Sequence, residues 1–246
     1  MFKNDTLQIY RGNDFIVNDK ITIHQPTLGE ICEWGEEKYF SFIYGFTATP
    51  TDRKHLLNLS GIDWNTITDY EMFLRSYTAF DKSLSGIVFK DIDFKSFYVC
   101  QNQENDEVYL YNPINKIKFD RSIYEISVDY LRRTHNIKKN VEIAMNDTTK
   151  EVLLEEAKEN YDFNKDKEFQ SILLPLISTM INMSEFKYGW TDVWDMKINA
   201  FMDSVYRVQH IKNADLMLSS GYSGFGIDLK KINKNNLNYF YRPNEN

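Results

Sequence analysis

Two carboxylates one residue apart, Asp91 and Asp93, follow the apolar run Ile87-Val88-Phe89 and form the clearest chemical pattern in the chain. A strand that delivers an Asp-x-Asp pair can hold a divalent cation against a phosphate, as in metal-dependent transferases. That chemistry sits at the end of a parallel strand in an alternating α/β sheet, and this chain does not alternate that way. Turn and capping roles for both aspartates are the expectation, with a metal-dependent transferase using Asp91 and Asp93 as an alternative.

Other reactive residue types are scattered. His24, His55, His135 and His210 form no two-ligand helical pair, and no G-x-S-x-G nucleophile elbow occurs. Gly221-x-x-Gly224-x-Gly226 looks like a phosphate loop, but it follows a helix and lacks the Gly-Lys-Ser/Thr of such loops. It reads instead as a helix stop at Gly221 and a tight turn. Leu131 to Lys139 holds the one basic cluster, read as a solvated helix end. Cys32 and Cys100 are isolated and expected to be reduced and buried. No catalytic residue, cofactor or metal is expected.

The chain has 246 residues, a net charge of −7 and a pI near 5.2. That balance argues against binding a phosphate backbone, so nucleic acid is not an expected partner. No apolar run reaches the roughly 18 residues of a membrane span. The first five residues lack the apolar core of a signal peptide, so a cytoplasmic location is expected.

The elements follow from periodicity and caps. Residues 7 to 23 alternate around Gly12-Asn13 and Asn18-Asp19, predicting short strands. Thr27-Leu28-Gly29-Glu30 is a capping box before a helix carrying Leu28, Ile31, Tyr39, Phe42, Ile43 and Phe46 and running to about Phe46. Thr49-Pro50 predicts a second helix ending near Gly61, and Thr68-Asp69-Tyr70-Glu71 a third running to about Phe80. Ile87-Val88-Phe89, Phe97-Tyr98-Val99, Val108-Tyr109-Leu110 and Ile117-Lys118-Phe119 predict a small antiparallel sheet, with a hairpin loop over residues 101 to 106.

From Asp120 onward the pattern is helical. Ile123, Ile126, Tyr130 and Leu131 share one helix, and Thr148-Thr149-Lys150-Glu151 is a third capping box, before a solvated face of Glu155, Glu156, Lys158 and Glu159. Phe169 to Met183 is expected to be buried, and kinked or interrupted at Pro175. A long helix capped by Thr191 places Trp194, Ile198, Phe201, Val205 and Val208 on one face. Gly61-Ile62-Asp63 and Gly226-Ile227-Asp228 repeat one local pattern, in which the aspartate is expected to cap a short helix. The fold class is α+β, predominantly α-helical with a small antiparallel β-sheet. Its parts are residues 1–119 (strands, helical subdomain and sheet) and 120–246 (helical), either as two units or as one continuous domain.

At Ile21-Thr22-Ile23-His24-Gln25-Pro26-Thr27-Leu28-Gly29-Glu30-Ile31, with Gly35-Glu36 and Tyr39, the chain resembles a family of proteins from phages and prophages of Gram-positive bacteria. Gly61-Ile62-Asp63-Trp64, Asp69-Tyr70-Glu71, Asp91-Ile92-Asp93-Phe94, Leu174-Pro175-Leu176-Ile177-Ser178 and Tyr222-Ser223-Gly224 with Asp228 extend the resemblance over most of the chain. It implies a non-enzymatic virion morphogenesis protein, encoded among tail morphogenesis genes. A tail assembly chaperone in the host cytoplasm is the first expectation, and a structural tail or neck subunit of the virion the second. The implied partners are tape-measure or tail-tube proteins, or a second copy of the chain. Trp190, Trp194, Tyr222 and Phe225 are the expected partner-binding residues.

Overall fold

The computed structural model describes residues 6–223 and 226–241. The fold is α+β and predominantly helical, with two small antiparallel sheets. Residues 7 to 23 are strand only in part. A short helix, α1 (Thr6–Arg11), comes first, because Ile9 alone of its side chains turns into the core. Gly12, at φ +87°, then reverses the chain into β1 (Phe15–Ile16), which pairs with β2 (Thr22–Ile23).

The capping box at Thr27 forms as expected: its hydroxyl accepts from the Glu30 amide while Glu30 accepts from the Thr27 amide. It opens α2 (Leu28–Trp34), but the helix does not continue to Phe46. Gly35 adopts φ +105°, a value that favours glycine, and there the chain bends into α3 (Glu36–Thr47). Leu28, Ile31, Tyr39, Phe42, Ile43 and Phe46 are all buried. Phe46 is central, with its ring 5.3 to 5.8 Å from those of Phe42, Phe73, Phe80, Phe89, Phe94 and Tyr124.

Pro50 does not start a helix. Asp52 accepts from both the Thr49 amide and hydroxyl, which closes a turn, and α4 (Lys54–Leu59) begins later and ends before Gly61. The second capping box, Thr68 with Glu71, opens α5 (Asp69–Ser76), and a 3-10 turn over Tyr77–Ala79 carries it to Phe80. Ile87-Val88-Phe89 is not a strand: it is the last turn of α6 (Lys82–Phe89). All three side chains are buried, so no amphipathic period marked them as helical.

The three-stranded sheet then forms with β3 (Tyr98–Gln101), β4 (Val108–Asn112) and β5 (Ile117–Phe119) in sequential order. Val99, Leu110 and Phe119 share the face turned to the core, while Tyr98, Cys100, Tyr109, Tyr111 and Lys118 share the other. Helix α7 (Arg121–Thr134), capped by Asp120, packs Tyr124, Val128, Tyr130 and Leu131 inward. Its basic end works within the fold: Arg132 donates to the Thr47 carbonyl and lies 3.6 Å from Asp69, which also pairs with Lys139.

Helix α8 (Asp147–Asn164) is capped by Asn146, whose side chain accepts from the Thr149 amide, and not by Thr148. It buries no side chain completely; Leu153 and Leu154 rest on a satellite cluster of Ala48, Leu57, Trp64 and Met72. Residues 169 to 183 are neither wholly buried nor kinked. Pro175 lies in the first turn of α9 (Leu173–Ile181), where its missing amide has no helical partner to lose. Only Leu173, Ile177 and Met180 of that helix are buried.

Thr191 is not a cap. Residues 196 to 198 run extended against the N-terminal half, with Leu28 N donating to Met196 O, Ile198 N to Pro26 O, and Thr27 bridging Lys197. Helix α10 (Ile198–Tyr222) starts only after that contact and buries Ile198, Phe201, Val205 and Val208. It does not stop at Gly221, whose missing Cβ leaves room for Leu229 to pack against the helix. Neither repeated Gly-Ile-Asp caps a helix; Asp63 and Asp228 instead accept from the amides of Asn65 and Lys230 and close turns. Cys32 is exposed and Cys100 partly exposed, not buried as expected, because each lies on the outer side of its element.

Candidate partner-binding cleft

The chain between α9 and α10 carries aromatic residues at alternate positions, Phe186, Tyr188 and Trp190, and a further one at Trp194. Two turns after α9, closed by Met183 N to Met180 O and Phe186 N to Met183 O, aim this run across the start of α10. Phe186 sits edge-on to Phe201, with ring centroids 6.4 Å apart, and that contact anchors the run to the core. Tyr188 follows 5.7 Å from Phe186 and is exposed.

Between this run and α10 lies a cleft of about 260 Å³. Phe186, Tyr188, Val208 and Ile211 provide apolar walls, Tyr10 of α1 closes one side, and Glu185, Asp203 and Arg207 bring charge to the lining. Lys212 pairs with Glu185 at 3.5 Å. Hydrogen bonds from the Glu185 backbone amide and from the Ser184 hydroxyl, with Lys212 nearby, hold the Glu185 carboxyl below its ordinary value. Arg207 donates to the carbonyls of Tyr239 and Tyr241, fixing the returning tail beside the cleft. Apolar walls with a charged rim suit an aromatic or aliphatic side chain carried on a polar-flanked segment.

The expected site residues divide into separate places. Trp190 is 65% exposed and packs edge-on to Trp194 at 5.6 Å, so these two form one aromatic rim close to the cleft in the chain. Trp194 is partly buried, with its backbone against Gly29 of α2. Tyr222, 81% exposed, lies at the far end of the 25-residue α10, about 36 Å along the axis from Ile198 at 1.5 Å per residue. Phe225 lies outside the described residues. Sequence reasoning missed Tyr10, Phe186, Tyr188 and Arg207. The alternation Phe186-x-Tyr188-x-Trp190 was a local signal, but nothing local joins Tyr10 to residues nearly two hundred positions later.

The remaining chemical candidates have structural partners. Asp93 caps the 3-10 turn at Phe94–Ser96 by accepting from the Lys95 amide, and the Asp91 side chain is 99% exposed, 3.7 Å from Lys82. Among the described residues, no three His, Cys, Asp or Glu side chains are placed to hold a metal ion. His24 lies between Asp14 at 2.7 Å and Glu30 at 3.1 Å; His55 packs on Tyr161; His210 pairs with the Asn238 carbonyl. Burial pushes the Asp14 carboxyl up, but hydrogen bonds and charge from Lys90 and His24 outweigh it and leave it below the ordinary value. Among the described residues, no helix is long and apolar enough to cross a membrane. Compared with known proteins, the chain matches no family model, no curated protein sequence and no solved structure.

Proposed function

We propose that the chain is a non-enzymatic protein of phage virion morphogenesis, a tail assembly chaperone that holds tape-measure or tail-tube protein in the host cytoplasm until assembly. The observation that carries this reading is the exposed Tyr188 in the lining of the cleft on α10, with the exposed Trp190 two residues further along the chain. Aromatic side chains held out of the core at a concave site are typical anchors for protein partners. An unassembled tape-measure protein presents apolar helical surface, and the cleft seats apolar side chains while Glu185 and Arg207 meet the polar flanks. The resemblance over residues 21–39 and the shorter matching blocks supports the same assignment.

Co-expression with tape-measure or tail-tube protein tests it. A chaperone raises the soluble fraction of its client and co-purifies with it, and Trp190→Ala with Tyr188→Ala weakens both effects. The reading fails when neither client changes in solubility nor forms a complex. Detection of the chain by mass spectrometry in purified particles instead marks it as a structural tail or neck subunit.

A further inference from the structure

We infer that the edge strand β3 pairs antiparallel with β3 of a second copy of this chain, joining two three-stranded sheets across a two-fold axis. The inference is independent of the client-binding cleft. In the β3 to β4 ladder, Asn102 N donates to Glu107 O, and Tyr98 and Cys100 share its inward phase. Val99 and Gln101 therefore turn their amides and carbonyls away from β4. Among the described residues nothing pairs with them on that side. Tyr98 is 65% and Val99 53% exposed, so the edge is apolar as well as open. No proline, bulge or inward-pointing charge blunts it, as an edge kept solitary would require.

The spacing of the outward groups fits a second copy of the same strand. Val99 and Gln101 flank Cys100 symmetrically, so a two-fold axis through Cys100 pairs each Val99 with the Gln101 of the other copy. Four backbone hydrogen bonds result. Charge favours the same arrangement. The strand is preceded by Lys95, which holds Asp81 of its own chain at 2.9 Å, and followed by the acidic hairpin Glu104, Asp106 and Glu107, so antiparallel pairing sets the lysine end of each copy toward the acidic end of the other. Parallel pairing would instead stack like charges. In this register the two Cys100 residues form the non-hydrogen-bonded pair at the centre, with Cα atoms about 4.5 Å apart, within reach of a short thiol cross-linker.

The test combines sedimentation with cross-linking of the full chain. Cys32→Ser protein, which keeps Cys100, is expected to sediment as a concentration-dependent dimer and to give a covalent dimer with a short-spacer bismaleimide. Cys100→Ser protein keeps the dimer but loses the cross-link. Val99→Lys changes an exposed side chain on the edge, leaves the circular dichroism of the monomer unchanged, and abolishes both dimer and cross-link. A chain that stays monomeric at high micromolar concentration overturns the inference. So does a dimer that is indifferent to Val99→Lys and gives no Cys100 cross-link, since another surface then makes it. A Val99-dependent complex with a strand of a different protein, formed by chains that do not self-associate, overturns it as well.

Discussion

Tyr39 donates its phenolic hydrogen to Nε2 of His135 at 2.5 Å, joining α3 to the end of α7 across 96 positions of sequence. His135 Nδ1 in turn donates to the Leu131 carbonyl at 2.8 Å, so both nitrogens of the neutral buried imidazole are satisfied. Burial is what pulls the His135 pKa down to about 4, against 6.5 for an exposed histidine.

The sign of the pH dependence follows. The unfolded chain takes up a proton at His135 below pH 6.5, and the folded chain does not until about pH 4. The stability attributable to neutral His135 is therefore complete above pH 6.5 and is lost as pH falls toward 4. Between pH 7 and pH 5 the loss is about 2 kcal/mol. Urea denaturation at the two pH values measures it, and His135→Gln should flatten the slope. Tyr39→Phe leaves Nε2 without its donor and should cost about 1–3 kcal/mol at pH 7.

Phe46→Ala and Trp190→Ala are expected to act on different properties. Removing Phe46 empties the centre of six aromatic contacts and should cost about 3–5 kcal/mol in thermal or denaturant unfolding. Trp190 is mostly exposed, so its removal should leave the unfolding midpoint nearly unchanged. In a pull-down with its client, Trp190→Ala should weaken binding about thirtyfold or more, the size of an interface hot spot.

The two capping boxes should each respond to loss of the hydroxyl. Thr27→Ala and Thr68→Ala are each expected to cost about 1 kcal/mol. Thr148→Ala should cost much less, because Asn146 is the cap there. Equal losses for Thr148→Ala and Asn146→Ala would contradict the observed cap.

Gly221→Ala favours the helix by about 1 kcal/mol in intrinsic propensity, but its Cβ would lie 2.3 Å from Leu229 Cγ. The expected outcome is release of the segment after residue 226, read as faster proteolysis there with α10 intact by circular dichroism. Gly61→Ala meets nothing within 4 Å, so only the cost of φ +69° remains, about 1–2 kcal/mol.

Local signals in the sequence were read well where chemistry is local. The boxes at Thr27 and Thr68, the buried face from Leu28 to Phe46, and the strands at Tyr98, Val108 and Ile117 all follow from side-chain types a few positions apart. Some misreadings are choices between local partners, as where Asp52 closes a turn at Thr49 and Asn146 takes the cap from Thr148; others are tertiary contact overriding local pattern. Ile87-Val88-Phe89 is enclosed on every side and so lost its helical period, and residues 196 to 198 were drawn extended by pairing with Pro26 and Leu28. The candidate site was half legible: Trp190 and Trp194 could be named from their types, but neither lines the cleft, which needs Tyr10 and α10 together.

That pairing also orders events during synthesis. The Pro26 carbonyl and the Leu28 amide pair with Ile198 and Met196, and Ile9 O accepts from Asn199. The first thirty or so residues therefore leave the ribosome with their final contacts still untranslated, and at about 5–20 residues per second they wait on the order of ten seconds or more. Until then, Ile9 lacks the cover of α10, and Leu28 and Ile31 lack that of the turn at Val193–Asp195, with α2 packed on α3 and α6. A pause in translation before codon 198 should lengthen that interval and raise the fraction of nascent chains bound by general chaperones.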